Sequence, residues 1–524
     1  MWDVNNYLLS EIDRKIRRFN FDSKMETLRK LDHLFEYNKV NKNNILSKNL
    51  FVDSRSGKWL KPQALYPWEI EYLSIMSIIN EEWNGFKKDL NKISDFRVLV
   101  NKYRNYNPPL LHKRDKEENI DNELFFRDKF DFFFIRTASQ QLNLQNHPLK
   151  SLYRYNYFFN FENQEFNVKD IFKSVFGFPY NDYVHFSIAL YALSWVSNNN
   201  ITVDRLLDQL GNGKLFSNEK IMELLNELSS NRSEIKNIYY KMSSEDERMK
   251  IYNYNPLRIK PILKEKDIIY MPMPQLLYKA VTEGFFHWLC DQSGIENFRV
   301  KFGKNTFEEY VNNILSWDNS FKIVPEFKYN VGRNEFKSPD FMLIKNNEVI
   351  LVEVKSTTPT IKLRYTDVEE YLSQLEKAYG KALIQCLKKE KHIKNQILSH
   401  EELPDKINRV YFLIITLENF HIPPSEFMKK NIREIVNREI QFSEDIDFHA
   451  LGVEVLEELI EQDNRDIFQF LKQREDNGFT FNRFPSTELN KEVSVDDTRV
   501  GKFYNSKFEE IRACLLYTSD AADE

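Results

Sequence analysis

The segment 341–355 constrains the fold of this chain most strongly. Two apolar runs in it flank the dipeptide formed by Asn346 and Asn347. Asparagine tolerates positive φ, so this pair suits a two-residue turn that joins two antiparallel strands. Such a turn pairs Lys345 with Glu348 and thereby sets the register of the whole hairpin. Both faces of the hairpin are apolar, which predicts a strand pair covered on both sides.

Two carboxylates meet at the open end of this hairpin. In the predicted register Asp340 faces Glu353, and the alternation of side chains along a strand places Lys355 on the same face. Like charges directly opposite each other destabilise a sheet, and buried like charges need a compensating cation. Carboxylate oxygens suit a divalent ion such as Mg²⁺. The alternative is a solvated Asp and Glu that only happen to lie at a strand end.

The sequence around the hairpin predicts an α/β arrangement. The apolar patterns predict, in order, a helix over 306–317, strands over 321–329, 339–345 and 348–355, a helix over 366–388, a strand over 409–417, a helix over 425–438 and a strand over 449–456. We therefore divide the chain into a mostly helical region (1–250), a connecting segment (251–300), an α/β domain (301–475), a C-terminal extension (476–512) and a non-native tail (513–524). The tail resembles a translated sequencing adapter.

Pro339 and Asp340, followed by Glu353, Val354 and Lys355 on the next strand, resemble the motif of the PD-(D/E)XK nucleases. The resemblance implies a restriction-endonuclease-like core, which is a mixed sheet flanked by helices. It implies that Asp340, Glu353 and the Val354 carbonyl bind Mg²⁺ or Mn²⁺, and that Lys355 assists the attacking water. The expected reaction is hydrolysis of DNA phosphodiester bonds, and fold analogy suggests restriction or anti-phage defence as its setting.

The same family carries a further glutamate on the first core helix, where this chain offers Glu308 and Glu309. Glu308 precedes the apolar residues Val311 and Leu315 at helical spacing, so we expect it to lean inward, whereas Glu309 lies on the polar side. We therefore predict Glu308 as the third acid, which binds the cation directly or through water. An ordinary first-turn glutamate favoured by the helix dipole is the alternative.

Some members of the family carry a Gln and, four residues later, a Tyr on the following helix. Here Gln374 is present, but residue 378 is Ala and the Tyr is Tyr379, which leaves the subgroup open. Gln374 is the candidate to orient Lys355 or a phosphate, and a solvated helix residue is the alternative. The resemblance covers about residues 300–420.

Basic residues near the motif are the candidates for binding nucleic acid. Lys362 and Arg364 follow the catalytic strand, and we predict that they contact phosphates. The lysines of the run 388–394 are predicted to form a solvated helix face instead. The formal net charge of the chain is -5, so any contact with nucleic acid depends on a local basic patch.

The rest of the sequence narrows the classes of function. The 3 cysteines show no zinc-site spacing, and no Gly-rich phosphate loop is present. No signal peptide and no long apolar run is found, so we expect a cytoplasmic protein without membrane contact. The expected partners are DNA, a second copy of the chain for double-strand cutting, and a protein bound by the helical region. The alternative function is a non-catalytic nucleic-acid-binding or scaffold protein that retains the nuclease fold.

Overall fold

A computed structural model describes this chain over residues 4–40, 66–82, 88–90, 93–104, 148–197, 201–211, 215–243, 247–359, 368–420, 426–440, 447–461, 466–476, 499, 502–503 and 505–510. The predicted phosphate-binding residues Lys362 and Arg364, and the tail 513–524, lie outside these ranges. The described part combines helices with mixed sheets, so the chain is an α/β protein. None of the described helices has both the length and the apolar character that crossing a membrane requires.

The described part of the first 250 residues is mostly helical, as the apolar spacing predicts. Its helices are α1 (Val4–Ile16), α2 (Phe21–Val40), α3 (Pro67–Ile79), α4 (Ile93–Arg104), α5 (Pro148–Phe159), α6 (Val168–Phe176), α7 (Tyr180–Val196), α8 (Val203–Leu210), α9 (Asn218–Leu228) and α10 (Arg232–Lys241). Several begin at a polar side chain that accepts a first-turn backbone N–H, as Asn167, Ser217 and Asn231 do. These caps satisfy donors that a helix start leaves unpaired.

A small sheet connects the helical region to the segment that follows it. Its strands are β1 (Ile201–Thr202), β2 (Ser229–Ser230), β3 (Ile262–Glu265) and β4 (Ile268–Tyr270), in the order β1-β4-β3-β2. Two long helices follow, each interrupted by a π-helical turn. The first comprises α11 (Leu276–Lys279), the π turn Ala280–Gly284 and α12 (Phe285–Gln292); the second comprises α13 (Phe298–Phe302), the π turn Gly303–Phe307 and α14 (Glu308–Leu315).

The central sheet contains the predicted hairpin. Its strands are β5 (Lys322–Pro325), β8 (Phe341–Lys345), β9 (Glu348–Lys355), β10 (Arg409–Thr416) and β11 (His449–Gly452), in the order β11-β10-β9-β8-β5. The predicted register is confirmed, because Lys345 pairs with Glu348 and Asn346 turns the chain with a φ of 54°. Strands β8 and β9 are antiparallel, whereas β9, β10 and β11 run parallel.

Two strand predictions were wrong in extent. The segment 321–329 does not form one strand, because the ladder of β5 with β8 ends at Pro325, which has no N–H to donate. A separate hairpin follows, made of β6 (Lys328–Val331) and β7 (Asn334–Lys337). The segment 449–456 changes from β11 to helix at Gly452, where α18 (Val453–Ile460) begins. The remaining helices are α15 (Val368–Leu375), α16 (Lys381–Lys394), α17 (Glu426–Asn437) and α19 (Ile467–Asp476).

Both faces of the central sheet are covered, as the two-sided apolar pattern predicts. Leu343, Ile350 and Val352 belong to one buried cluster, which also contains residues of α5, α7 and α14. Residues on the opposite face, such as Met342 and Leu351, pack in a second cluster against α16. The first cluster thus joins the helical region to the sheet, and the domain boundaries stay a prediction.

Candidate active site

The two motif carboxylates lie together at the open end of the hairpin. The ladder of β8 with β9 ends at the pair Phe341 and Val352, so Asp340 and Glu353 are the next residues beyond it. The Glu353 side chain is 1% exposed. The backbone N–H of Val354 donates to Asp340 Oδ2 at 2.7 Å, which ties the Asp340 side chain to strand β9. The hairpin turn therefore brings these acids together from positions that are separate in the sequence.

The carbonyl of Val354 lies on the Asp340 side of strand β9. In a strand, the N–H and C=O of one residue point to the same side, and the next residue points to the other. The N–H of Val354 points to Asp340, whereas the carbonyl of Lys355 points to β10 and accepts the N–H of Leu417 at 3.2 Å. A carboxylate and a backbone carbonyl consequently face the same space, because β8 has ended there.

Two lysines hold the Glu353 carboxylate. Lys355 Nζ donates to Glu353 Oε2 at 2.9 Å, and Lys389 Nζ donates to Glu353 Oε1 at 2.6 Å. Lys355 Nζ also lies 3.3 Å from Gln385 Oε1 on α16. The prediction that the lysine run 388–394 forms a solvated face is wrong for Lys389, whose side chain is only 11% exposed. Helix α16 packs against the sheet and turns this lysine toward the acids.

An open cleft of about 330 Å³ lies beside these residues. It is lined by Val300, Gly303, Lys304, Glu308, Glu326, Lys337, Val354, Lys355, Ser356 and Thr357. The walls therefore come from the helix around Gly303, the segment after β5, strand β7 and the end of β9. Close packing of the helix on the β9 end depends on Gly303, because a Cβ at this position would lie 2.7 Å from Ser356 Oγ.

Glu308 lies on the cleft wall and Glu309 is exposed, which is the arrangement expected from helical spacing. Burial raises the pKa of Glu308 to about 8, and the neighbouring carboxylates of Asp340 and Glu326 add to this shift. Burial likewise raises the pKa of Asp340 to about 6, with Glu353 as the next cause. The nearby lysines and the solvent therefore do not fully compensate the negative charge of these carboxylates.

Lys355 is the cation between these acids. Burial lowers the pKa of its ammonium, but the nearby carboxylates of Glu353 and Asp340 outweigh burial and hold the pKa above its usual value. The ammonium therefore stays charged at neutral pH. Its side chain is 23% exposed and borders the cleft, so this charge is accessible to a ligand there.

The donor atoms at this site fit a divalent cation. Asp340 uses Oδ2 for the Val354 N–H, and the described residues provide no partner for Oδ1. The carboxylates of Glu353 and Glu308 and the Val354 carbonyl add further oxygen donors, the type that Mg²⁺ and Mn²⁺ prefer. No ready-made group of three or more His, Cys, Asp and Glu side chains spaced for a metal occurs in the described part of the chain. The lysines account for part of this result, because Lys355 and Lys389 each bind one oxygen of the Glu353 carboxylate.

The remaining sequence prediction concerns Gln374. This residue is buried on α15, so it is not a solvated helix residue. It is not among the described residues that line the cleft, and the amide next to Lys355 belongs to Gln385 instead. Gln385 and Lys389 also belong to the site, although the motif did not indicate them. Their signal is helical spacing, because the two residues are one turn apart beside the buried Cys386.

A comparison of the sequence with models of protein families finds no matching family, and a comparison with curated proteins finds no significant match.

Proposed function

We propose that this chain is a divalent-cation-dependent nuclease that hydrolyses DNA phosphodiester bonds, with the restriction-endonuclease-like fold of the PD-(D/E)XK nucleases. One observation carries the proposal: Asp340 and Glu353 lie side by side at the end of β8 and β9, with the charged Lys355 beside them at an open cleft. The order of elements supports the proposed fold. A helix that ends in α14 is followed by β5, by the separate β6–β7 hairpin, by β8 and β9, then by α15 and α16, and then by β10.

In this proposal the cation is held by Asp340, Glu353 and the Val354 carbonyl, with Glu308 as a direct or water-mediated ligand. When bound, the cation supplies a Lewis acid for the phosphate and an acidified water. Asp340 is positioned for this role by the Val354 N–H, which fixes one of its two carboxylate oxygens. Burial, with the Asp340 and Glu326 carboxylates adding to it, raises the pKa of Glu308, and a nearby positive charge would stabilise its ionised form.

Lys355 has the separate role of stabilising negative charge on the phosphate. Its ammonium is oriented by Glu353 and Gln385, so it is held in place before a substrate arrives. A preorganised donor of this kind stabilises charge that develops in the transition state. Lys304 and Lys337 also line the cleft, and in this proposal they provide further phosphate contacts.

The test is cleavage of plasmid DNA and single-stranded DNA by the purified chain with Mg²⁺ or Mn²⁺. We expect cutting that EDTA abolishes, that Asp340→Ala and Glu353→Ala each abolish, and that Lys355→Ala strongly reduces, while circular dichroism shows a folded chain. Two adjacent glutamates provide a matched control, since Glu308→Gln should reduce cleavage and Glu309→Gln should not. A folded wild-type chain that binds DNA but never cuts it, at any cation concentration, would favour the non-catalytic binding role instead.

A further inference from the structure

Lys389 is an almost buried lysine whose ammonium is directed at Glu353. Its Nζ lies 2.6 Å from Glu353 Oε1, and 11% of its side chain is exposed. Within the described ranges it forms no second ion pair, so its charge is compensated at this one carboxylate. A lysine is rarely buried unless it is paired, which makes the position informative.

The helix that carries Lys389 is built to deliver it to this site. On α16 the residues Ala382, Cys386 and Ile393 form a buried stripe against the sheet. Lys389 lies one turn from Gln385 on the same edge of α16. Gln385 contacts Lys355, and Lys389 contacts Glu353, so this edge of the helix faces the site. The preceding residue, Lys388, is 54% exposed and pairs with Glu439 instead. Packing of α16 thus selects one lysine of the run for the site.

We propose that Lys389 is a built-in counter-ion, which occupies Glu353 in the metal-free protein and competes with the divalent cation for this carboxylate. The inference rests on the proposed function in one respect, which is that Glu353 is a cation ligand. The charge of a carboxylate that is 1% exposed is destabilising unless a positive partner lies beside it. Lys355 provides such a partner at Oε2, and Lys389 provides a second one at Oε1, where its positive charge repels a cation that approaches the same oxygen.

The competition has a consequence in each direction. The cation weakens the pairing of Lys389 with Glu353, and by linkage Lys389 weakens cation binding by the same factor. Lys389 therefore keeps the empty site folded and raises the cation concentration at which the site fills. Cleavage by this chain becomes dependent on the supply of free divalent cation, which makes Lys389 a regulator of the proposed nuclease site.

The experiment is a calorimetric titration of the full chain with Mn²⁺. We expect Lys389→Met to bind Mn²⁺ about tenfold more tightly than the wild type, which is within the usual range of coupling between two sites. Lys389→Arg retains the charge and should bind Mn²⁺ as weakly as the wild type does. Lys388→Met removes the neighbouring exposed charge and should also resemble the wild type.

Thermal unfolding provides a second test in case Lys389→Met folds too poorly for the titration. In EDTA, Lys389→Met should be less stable than the wild type, because Glu353 loses a buried partner. Millimolar Mn²⁺ should raise the melting temperature of Lys389→Met by more than it raises that of the wild type. The double variant Glu353→Gln/Lys389→Met removes both charges and should be more stable in EDTA than Lys389→Met alone. A Lys389→Met chain that stays unfolded in millimolar Mn²⁺ would overturn the inference.

The outcomes separate this inference from the proposed function. Tighter Mn²⁺ binding by Lys389→Met alone supports both. Equal or weaker binding by Lys389→Met, or tighter binding by Lys389→Arg as well, overturns the counter-ion role and leaves the nuclease proposal standing. If neither the wild type nor any variant binds Mn²⁺, the cation site fails, and the counter-ion role fails with it.

Discussion

Asp340→Asn is expected to make the metal-free protein more stable while it removes the proposed activity. Burial and the neighbouring Glu353 raise the pKa of Asp340 from 3.8 to about 6. The folded chain therefore binds this proton more tightly than the unfolded chain does. The stability associated with the group is complete below pH 4 and decreases as the pH rises through about 6. Asparagine avoids this loss and can still accept the Val354 N–H through its amide oxygen.

The magnitude follows from the size of the shift. A difference of roughly two pKa units corresponds to about 3 kcal/mol at full ionisation, since one unit is about 1.4 kcal/mol. Charge sharing with the neighbouring acids reduces this value, so we expect Asp340→Asn to gain about 2 kcal/mol at pH 8 and almost nothing at pH 4. Stabilisation on removal of a site residue is typical of active sites, where function requires an unfavourable arrangement of charge.

Urea unfolding in EDTA, followed by tryptophan fluorescence at several pH values between 4 and 8, measures this effect. Glu335→Gln is the matched control, because Glu335 is an exposed acid on the nearby β7 and should change stability little at any pH. Addition of Mn²⁺ should reverse the order, since the wild type gains stability from the bound cation and Asp340→Asn gains less. The reasoning is refuted if Asp340→Asn is less stable than the wild type at pH 8 in EDTA, or if the difference does not depend on pH.

Three further substitutions test other parts of the structure. Lys355→Met should lower single-turnover cleavage by about 10²–10³-fold, the usual cost of losing one charge-stabilising donor, and should leave Mn²⁺ binding detectable in a titration; unchanged cleavage would contradict its role. Arg154→Met should destabilise the chain in urea by about 3–5 kcal/mol, because Arg154 is the bidentate partner of the buried Glu457 at 2.7 and 2.8 Å. Adding Glu457→Gln should recover part of this loss, and stability equal to the wild type would disprove the coupling. Gly303→Ala should cost about 1–2 kcal/mol by overpacking against Ser356, measured by the same unfolding assay, and Ser356→Ala in the same chain should relieve it; a fully tolerated alanine would show that the contact yields easily.

Local patterns predict the hairpin because its determinants are close in sequence. Asn346 accepts the left-handed turn conformation, and the apolar residues on both sides leave one register that buries them. The same register places Asp340 beside Glu353. Helical spacing similarly separates Glu308 from Glu309, since adjacent helix residues point about 100° apart. For these acids the sequence predicts position correctly, and their roles as cation ligands stay predictions.

The sequence does not predict which lysines pair with Glu353. The run 388–394 has the composition of a solvated face, and its spacing alone does not distinguish Lys388 from Lys389 as a partner of Glu353. That distinction depends on the angle at which α16 packs on the sheet. Gln374 is the opposite case, a residue that the motif indicates but that is buried away from the cleft lining. The amide that contacts Lys355 belongs to Gln385.

The sequence by itself determined the hairpin, its register and the acids at its end, because turn geometry and side-chain alternation act over a few residues. Only the tertiary structure decided which charges compensate those acids and where the cleft opens. Glu353 meets Lys389 across 36 positions of the chain, and Glu308 approaches Asp340 from a helix that precedes the sheet. Contacts of this kind depend on how whole elements pack, and packing is set by the shared buried clusters rather than by any short segment.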